Sequence, residues 1–169
     1  MGIEPKFLKR DAQPYAGIRV RLARNELSEI VPRTLSELVA FLQRHRGSII
    51  GAPLIRYLVV DYNTGEVEVD VGVPIEAPTL PADDRVYPAQ IPAGTFATVI
   101  HRGSYDALVK TTAALDWGKE KNVKWQVAEE RKVTRWNARV EHYQVGPPDE
   151  PDPENWQTEI AILVAAGDA

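Results

Sequence analysis

The sequence predicts one α+β domain made of duplicated strand-helix-strand-strand units, an antiparallel sheet with helices on one face and a cleft at a pseudo-twofold interface. Three observations lead there. Runs of alternating apolar and polar residues, the two-residue period of a half-buried strand, recur along the chain. A strongly amphipathic helical stretch follows the first of them. After a proline-rich connector the same order of elements returns. The domain fills residues 1–169, with a first half over about 14–76, a connector over 77–92 and a second half over about 93–165.

The first strand is expected over Ala16 to Ala23, where Ile18, Val20 and Leu22 alternate with Arg19 and Arg21. A helix follows. Thr34 and Glu37 have the spacing of a capping box, Leu35, Leu38, Val39 and Leu42 share one helical face, and Gly47 stops the run. Two β-rich runs, Leu54 to Val60 and Glu66 to Ile75, are joined by Asp61-Tyr62-Asn63-Thr64-Gly65, whose Asn and Gly suit a short hairpin loop. Pro78, Pro81, Pro88 and Pro92 then give an extended connector.

In the second half, Gly94 to His101 alternates around Phe96, Thr98 and Ile100. Ser104 caps an expected helix that carries Tyr105, Leu108, Val109, Thr112 and Leu115 and ends near Gly118. The charged segment Lys119 to Arg135 is a connection with room for a short strand. Ala138 to Val145 and Trp156 to Val164 are the last strands, separated by Pro147, Pro148, Pro151 and Pro153. The closing strands overlay as Asp70 to Pro74 on Glu159 to Leu163, and the preceding strands bring Tyr57 onto Tyr143.

Composition narrows the function. A chain of 169 residues, 44% hydrophobic and 26% charged, is long enough for a real core. No stretch approaches the roughly 20 apolar residues of a membrane helix, and Met1 to Arg10 lacks a signal-peptide core, so a cytoplasmic protein without membrane attachment is expected. With no cysteine and three scattered histidines (His45, His101, His142), neither disulfides nor a metal site nor any other cofactor is expected. A net charge of −4 with dispersed basic residues argues against nucleic-acid binding.

Helices cover one sheet face, so the apolar alternates Val67, Val69, Val71 and Val73, and Ile160, Ile162 and Val164, are expected to face them. The opposite face would then hold Glu68, Asp70, Gly72, Glu141, Tyr143, Glu159 and Ala161, a mixture of acids, rings and small residues suited to a cleft. A carboxylate in an aromatic cleft is costly to desolvate and calls for a hydrogen bond, a proton or a cationic ligand. Rings with one acid suit lipophilic cations. A solvated sheet face, with Arg139 pairing with Glu141, is the competing reading. Trp117, Trp125 and Trp136 read as packing residues, and His101 and His142 as structural.

The segments Gly94 to Thr98, His101 to Leu108, Arg139-Val140-Glu141-His142-Tyr143 and Trp156 to Ile160 resemble the GyrI-like family over about residues 14–165. These are the effector-binding domains of multidrug-responsive transcription regulators, also found as stand-alone proteins. The resemblance implies a ligand cleft between the two units and puts the family's buried acid, which meets the ligand's positive charge, at Glu141. It places Trp156, Tyr143 and Glu68 on the cleft wall and Tyr105 either beside the cleft or in the core beneath the strand, and the overlay of the halves adds Tyr57 as the counterpart of Tyr143. Strand parity sets Trp156 with Thr158 and Ile160, so it reaches the cleft from the strand mouth or through a bulge. Only about fifteen residues precede the first expected strand, too few for a helix-turn-helix, so a stand-alone member is expected.

Three functions stay open at this point: a binding protein for hydrophobic, aromatic and cationic compounds, centred on Glu141; a hydrolase of electrophilic cyclopropane-bearing compounds using Glu141 with Tyr143 or Tyr57; and an interaction protein of the gyrase-inhibitor kind. A hydrophobic small molecule is the expected partner in the first two.

Overall fold

The structure is a computed structural model that describes residues 5–45, 47–76, 80–81, 83–104, 125, 127–146 and 149–165. In chain order the elements are β1 (Lys6–Arg10), β2 (Gln13–Ala23), α1 (Leu27–Arg44), β3 (Leu54–Asp61), β4 (Glu66–Pro74), β5 (Val86–Ile91), β6 (Gly94–Arg102), β7 (Val127–Glu130), β8 (Val133–Val145) and β9 (Gln157–Leu163). All nine strands belong to one antiparallel sheet ordered β1-β6-β9-β8-β3-β4-β2-β5, with β7 paired to β8. Read outward from the β8–β3 junction, each side runs through its unit's last strand to its first: β9 then β6 on one side, β4 then β2 on the other. Ladder register matches residues across that junction. Ile55 lies opposite Val71 as Glu141 lies opposite Ile160, which sets Tyr57 against Tyr143 and Asp70 against Glu159, as the overlay of the two halves has it.

The sheet curls. β5 and β6 stand six places apart, about 29 Å in a flat sheet at the usual strand spacing. Yet only Pro92 and Ala93 separate their ends, a reach of at most about 11 Å. The inner face of the curl holds a core of Tyr15, Leu54, Ile91, Phe96, Ala138, Val140, Ala161 and Leu163. Gly72 makes room for it, because a side chain there would run into the Tyr15 ring at 2.8 Å and the Ala16 carbonyl at 3.2 Å. The outer face is covered on its first-half side by α1, whose Leu38, Phe41 and Leu42 pack on Ala16, Ile18, Val73 and Val86.

Four expectations are corrected. The helix begins at Leu27, seven residues before Thr34, which is inside it and donates its hydroxyl to the Ile30 carbonyl at 2.9 Å. The start is set instead by Glu26, whose carboxylate accepts the Ala23 N–H at 2.8 Å, and by Leu27, Val31 and Leu35 packing on the sheet. Pro32 lies exposed inside this helix. A strand, β1, precedes the first expected one and pairs with β6. Part of the connector is β5, an edge strand on β2 where Pro88, lacking an N–H, is tolerated. β8 starts at Val133, and the short strand anticipated before it is β7. The expected second helix, from Ser104 to Gly118, lies outside the described residues save for Ser104 itself.

Candidate functional site

Register decides which side chains meet. Glu141 pairs with Ile55 on one side and Ile160 on the other, and Arg139 with Tyr57 and Ile162. All of these point to the outer face, as do Val69 and Val71, which pair with Tyr57 and Ile55. The acids expected together on one face are therefore divided: Glu141 and Tyr143 lie outside with the apolar alternates, and Glu68, Asp70 and Glu159 lie inside. Parity within a strand gives two faces but not which one faces its neighbour's apolar set, and an offset of one residue inverts the answer.

On the outer face, at the junction of the halves, the chain has built a polar centre in apolar surroundings. Tyr57 is buried among Ile55, Val60, Val67, Val69 and Val71. Trp136 and Tyr143 pack against that cluster and also against Ile160 and Ile162, so the two rings span both halves. Between them Glu141 is only 2% exposed. Its carboxylate accepts the Tyr143 hydroxyl at 3.5 Å, and the Tyr57 hydroxyl is turned toward it. Burial pushes the Glu141 carboxyl above its ordinary range, while Tyr57, the positive charges of Arg139 and Arg24, and Tyr143 pull it back. The same burial, together with the negative charge of Glu141, pushes the Tyr57 hydroxyl far up. Tyr57 is thus a donor at any physiological pH.

Arg139 completes the centre. It is 3% exposed, and its guanidinium carbon sits 4.6 Å from the Tyr57 ring centroid and 5.2 Å from that of Trp136, within cation–π range of both. No carboxylate among the described residues comes within ion-pair distance of it, so the pairing with Glu141 considered from the sequence is electrostatic influence without a contact bridge. Arg139 Nε, the Trp136 indole nitrogen and the Thr158 hydroxyl are buried with no hydrogen-bond partner among the described residues, and all three lie on this face.

The inner face is polar in a different way. Asp70 is fully buried and receives the Tyr15 hydroxyl and, at 3.2 Å, Arg19 Nε. Arg19 also approaches Glu68 at 3.8 Å and donates to the Tyr87 hydroxyl at 2.8 Å. Glu159 is clamped by both terminal nitrogens of Arg10 at 2.7 and 2.8 Å. These acids are satisfied by the chain's own donors, which is the pattern of structural groups. A shallow hollow of about 380 Å³ lies beside them, lined by Ile18, Arg19, Asp84, Arg85 and Tyr87.

Of the sequence-predicted residues, the structure brings together Glu141, Tyr143 and Tyr57 and sets Glu68 on the opposite face. Trp156 stands at the mouth of β9, where its indole donates to the Glu150 carbonyl at 2.7 Å. Tyr105 lies outside the described residues. Trp136 packs on both halves, as the sequence reading has it, whereas Arg139, read there as a surface partner, is buried. The signal for Arg139 was its place two residues before Glu141, on the same strand face.

Residues 3–165 match the family described as GyrI-like small molecule binding domain. No curated protein matches the chain. Among solved structures, the EcmrR C-terminal domain superposes with a TM-score of 0.70 at 17% identity, covering 98% of this chain and 99% of that one. In the EcmrR–DNA complex the TM-score is 0.71 at 19% identity, and this chain, 95% covered, spans 57% of the EcmrR chain. SAV2435 bound to tetraphenylphosphonium gives 0.64 at 15% identity, covering 97% and 95%. A hydrolase from Listeria innocua gives 0.60 at 12% identity, covering 97% and 93%. At these identities the likeness concerns the fold.

Proposed function

The chain belongs to the GyrI-like small molecule binding domain family, and on that premise we propose that it binds hydrophobic aromatic cations at the outer-face junction, with Glu141 as the counter-charge. The observation that carries this reading is a carboxylate 2% exposed among aromatic and aliphatic side chains with no contact ion pair among the described residues. Ionising such a group is costly until a cation arrives, so a cationic ligand gains from meeting it. Tyr57, Tyr143 and Trp136 supply ring faces for an aromatic body. The tetraphenylphosphonium complex of SAV2435 is in keeping with such a ligand.

Calorimetric titration with tetraphenylphosphonium tests it. The wild type is expected to bind, and Glu141→Gln to weaken binding by at least about tenfold, the equivalent of about 1.4 kcal/mol. Equal affinity in both would remove Glu141 from the reading.

A second reading, hydrolysis, draws on the raised carboxyl of Glu141 beside the Tyr143 hydroxyl, a pairing of the kind that general acid–base work uses. Turnover of an electrophilic cyclopropane-bearing aromatic compound, lost in Glu141→Ala, would be its sign; equal rates in both proteins would end it.

A further inference from the structure

We propose that Arg139 and Trp136 form an anion-accepting subsite beside Glu141, so that the preferred ligand is a zwitterion: an aromatic body whose cationic group meets Glu141 and whose carboxylate meets Arg139. This rests on the binding reading above and specifies its ligand class.

The geometry points there from three directions. Arg139 is a guanidinium at 3% exposure whose Nε has no partner, and among the described residues it lies over the Tyr57 and Trp136 rings. A buried cation without an anion in contact is a costly arrangement for a chain to keep, and the forked donors of arginine match a carboxylate in two parallel bonds. Second, the Trp136 indole nitrogen beside it is also buried and unpartnered. Indole and guanidinium nitrogens only donate, so two adjacent orphans of one kind ask for an acceptor. Third, Arg139 and Glu141 stand two residues apart on one face of β8, which sets their attachment points roughly 7 Å apart. No contact ion pair joins the two among the described residues, which leaves each charge open to one group of a rigid ligand.

The inner-face arginines show what a structural role looks like in the same sheet. Arg10 is bidentate on Glu159, and the terminal nitrogens of Arg56 donate to the Tyr15 hydroxyl and to the carbonyls of Gln90 and Asn137. The Nε of Arg56 is buried without a partner, as that of Arg139 is, but Arg139 makes no terminal-nitrogen bond of the Arg56 kind among the described residues.

The test compares two ligands with one aromatic body: benzyltriphenylphosphonium, a plain cation, and its 4-carboxybenzyl analogue, a zwitterion at neutral pH. Wild type should bind the zwitterion about tenfold or more tightly than the cation. Arg139→Met should abolish that preference while still binding the cation. Trp136→Phe, which keeps a ring and loses the donor, should reduce the preference several-fold and serves if the Arg139 variant fails to fold. The inference is overturned if wild type prefers the plain cation, or if Arg139→Met keeps the wild-type preference for the zwitterion. Failure of both ligands to bind wild type would instead sink the binding reading itself, and cation binding that needs Glu141 but ignores the carboxylate would sink the subsite alone.

Discussion

Glu141 shows how one buried side chain ties stability to pH. Its neighbours are the Tyr57 and Tyr143 hydroxyls and the charges of Arg139 and Arg24, and burial still prevails, holding its carboxyl above the ordinary range. The folded protein therefore keeps this proton more tightly than the unfolded chain does. The stability that follows is complete below the ordinary carboxyl pKa and is lost as pH rises through the raised folded value. Glu141→Gln carries no such proton, so its stability relative to wild type should rise as pH climbs through that window. Paired thermal melts from about pH 4 to about pH 8 measure it; a difference that stays constant with pH would contradict the account. Tyr57→Phe removes a hydroxyl that steadies the carboxylate, and several-fold weaker tetraphenylphosphonium binding is the expected result, with unchanged affinity as the contrary one. At this scale Glu141 and Tyr143 were legible because a Glu-x-Tyr step is readable residue by residue. Arg139 was not, since its isolation from acids depends on neighbours in β3 that no spacing within β8 reveals.

Among the elements, α1 fixes the first-half edge of the site. Leu38 is fully buried in the cluster between α1 and the sheet, and Leu38→Ala should cost about 2–5 kcal/mol by transfer and cavity terms together. Chemical denaturation reads this directly, and a loss below about 1 kcal/mol would mean that the helix is not anchored as described. The strands were legible from alternation, and β2, β3, β4, β6 and β9 fall where the pattern put them. The misread starts have local causes. Thr34 with Glu37 imitates a cap, yet a side chain that bonds back to a carbonyl four residues earlier serves the helix interior as well. β1 and β5 are short edge strands whose pairing comes from β6 and β2, distant in sequence, so neither announces itself.

At the level of the whole molecule, the curl determines which acids are structural and which is available. It turns Asp70 and Glu159 inward, where Tyr15, Arg19 and Arg10 satisfy them, and leaves Glu141 at the outer junction of the two halves. Close approach at Gly72 lets the Tyr15 ring lie inside that curl, so Gly72→Ala should destabilise the protein by about 1–3 kcal/mol through overpacking. The sequence carried the positions of β2, β3, β4, β6 and β9, but the order of strands in the sheet and the division of acids between two faces required register. The most direct measurement is a crystal structure of the protein with tetraphenylphosphonium. The account predicts the phosphonium beside the Glu141 carboxylate with its rings on Tyr57, Tyr143 and Trp136. A ligand seated instead in the inner cluster of Asp70, Tyr15 and Tyr87 would contradict it.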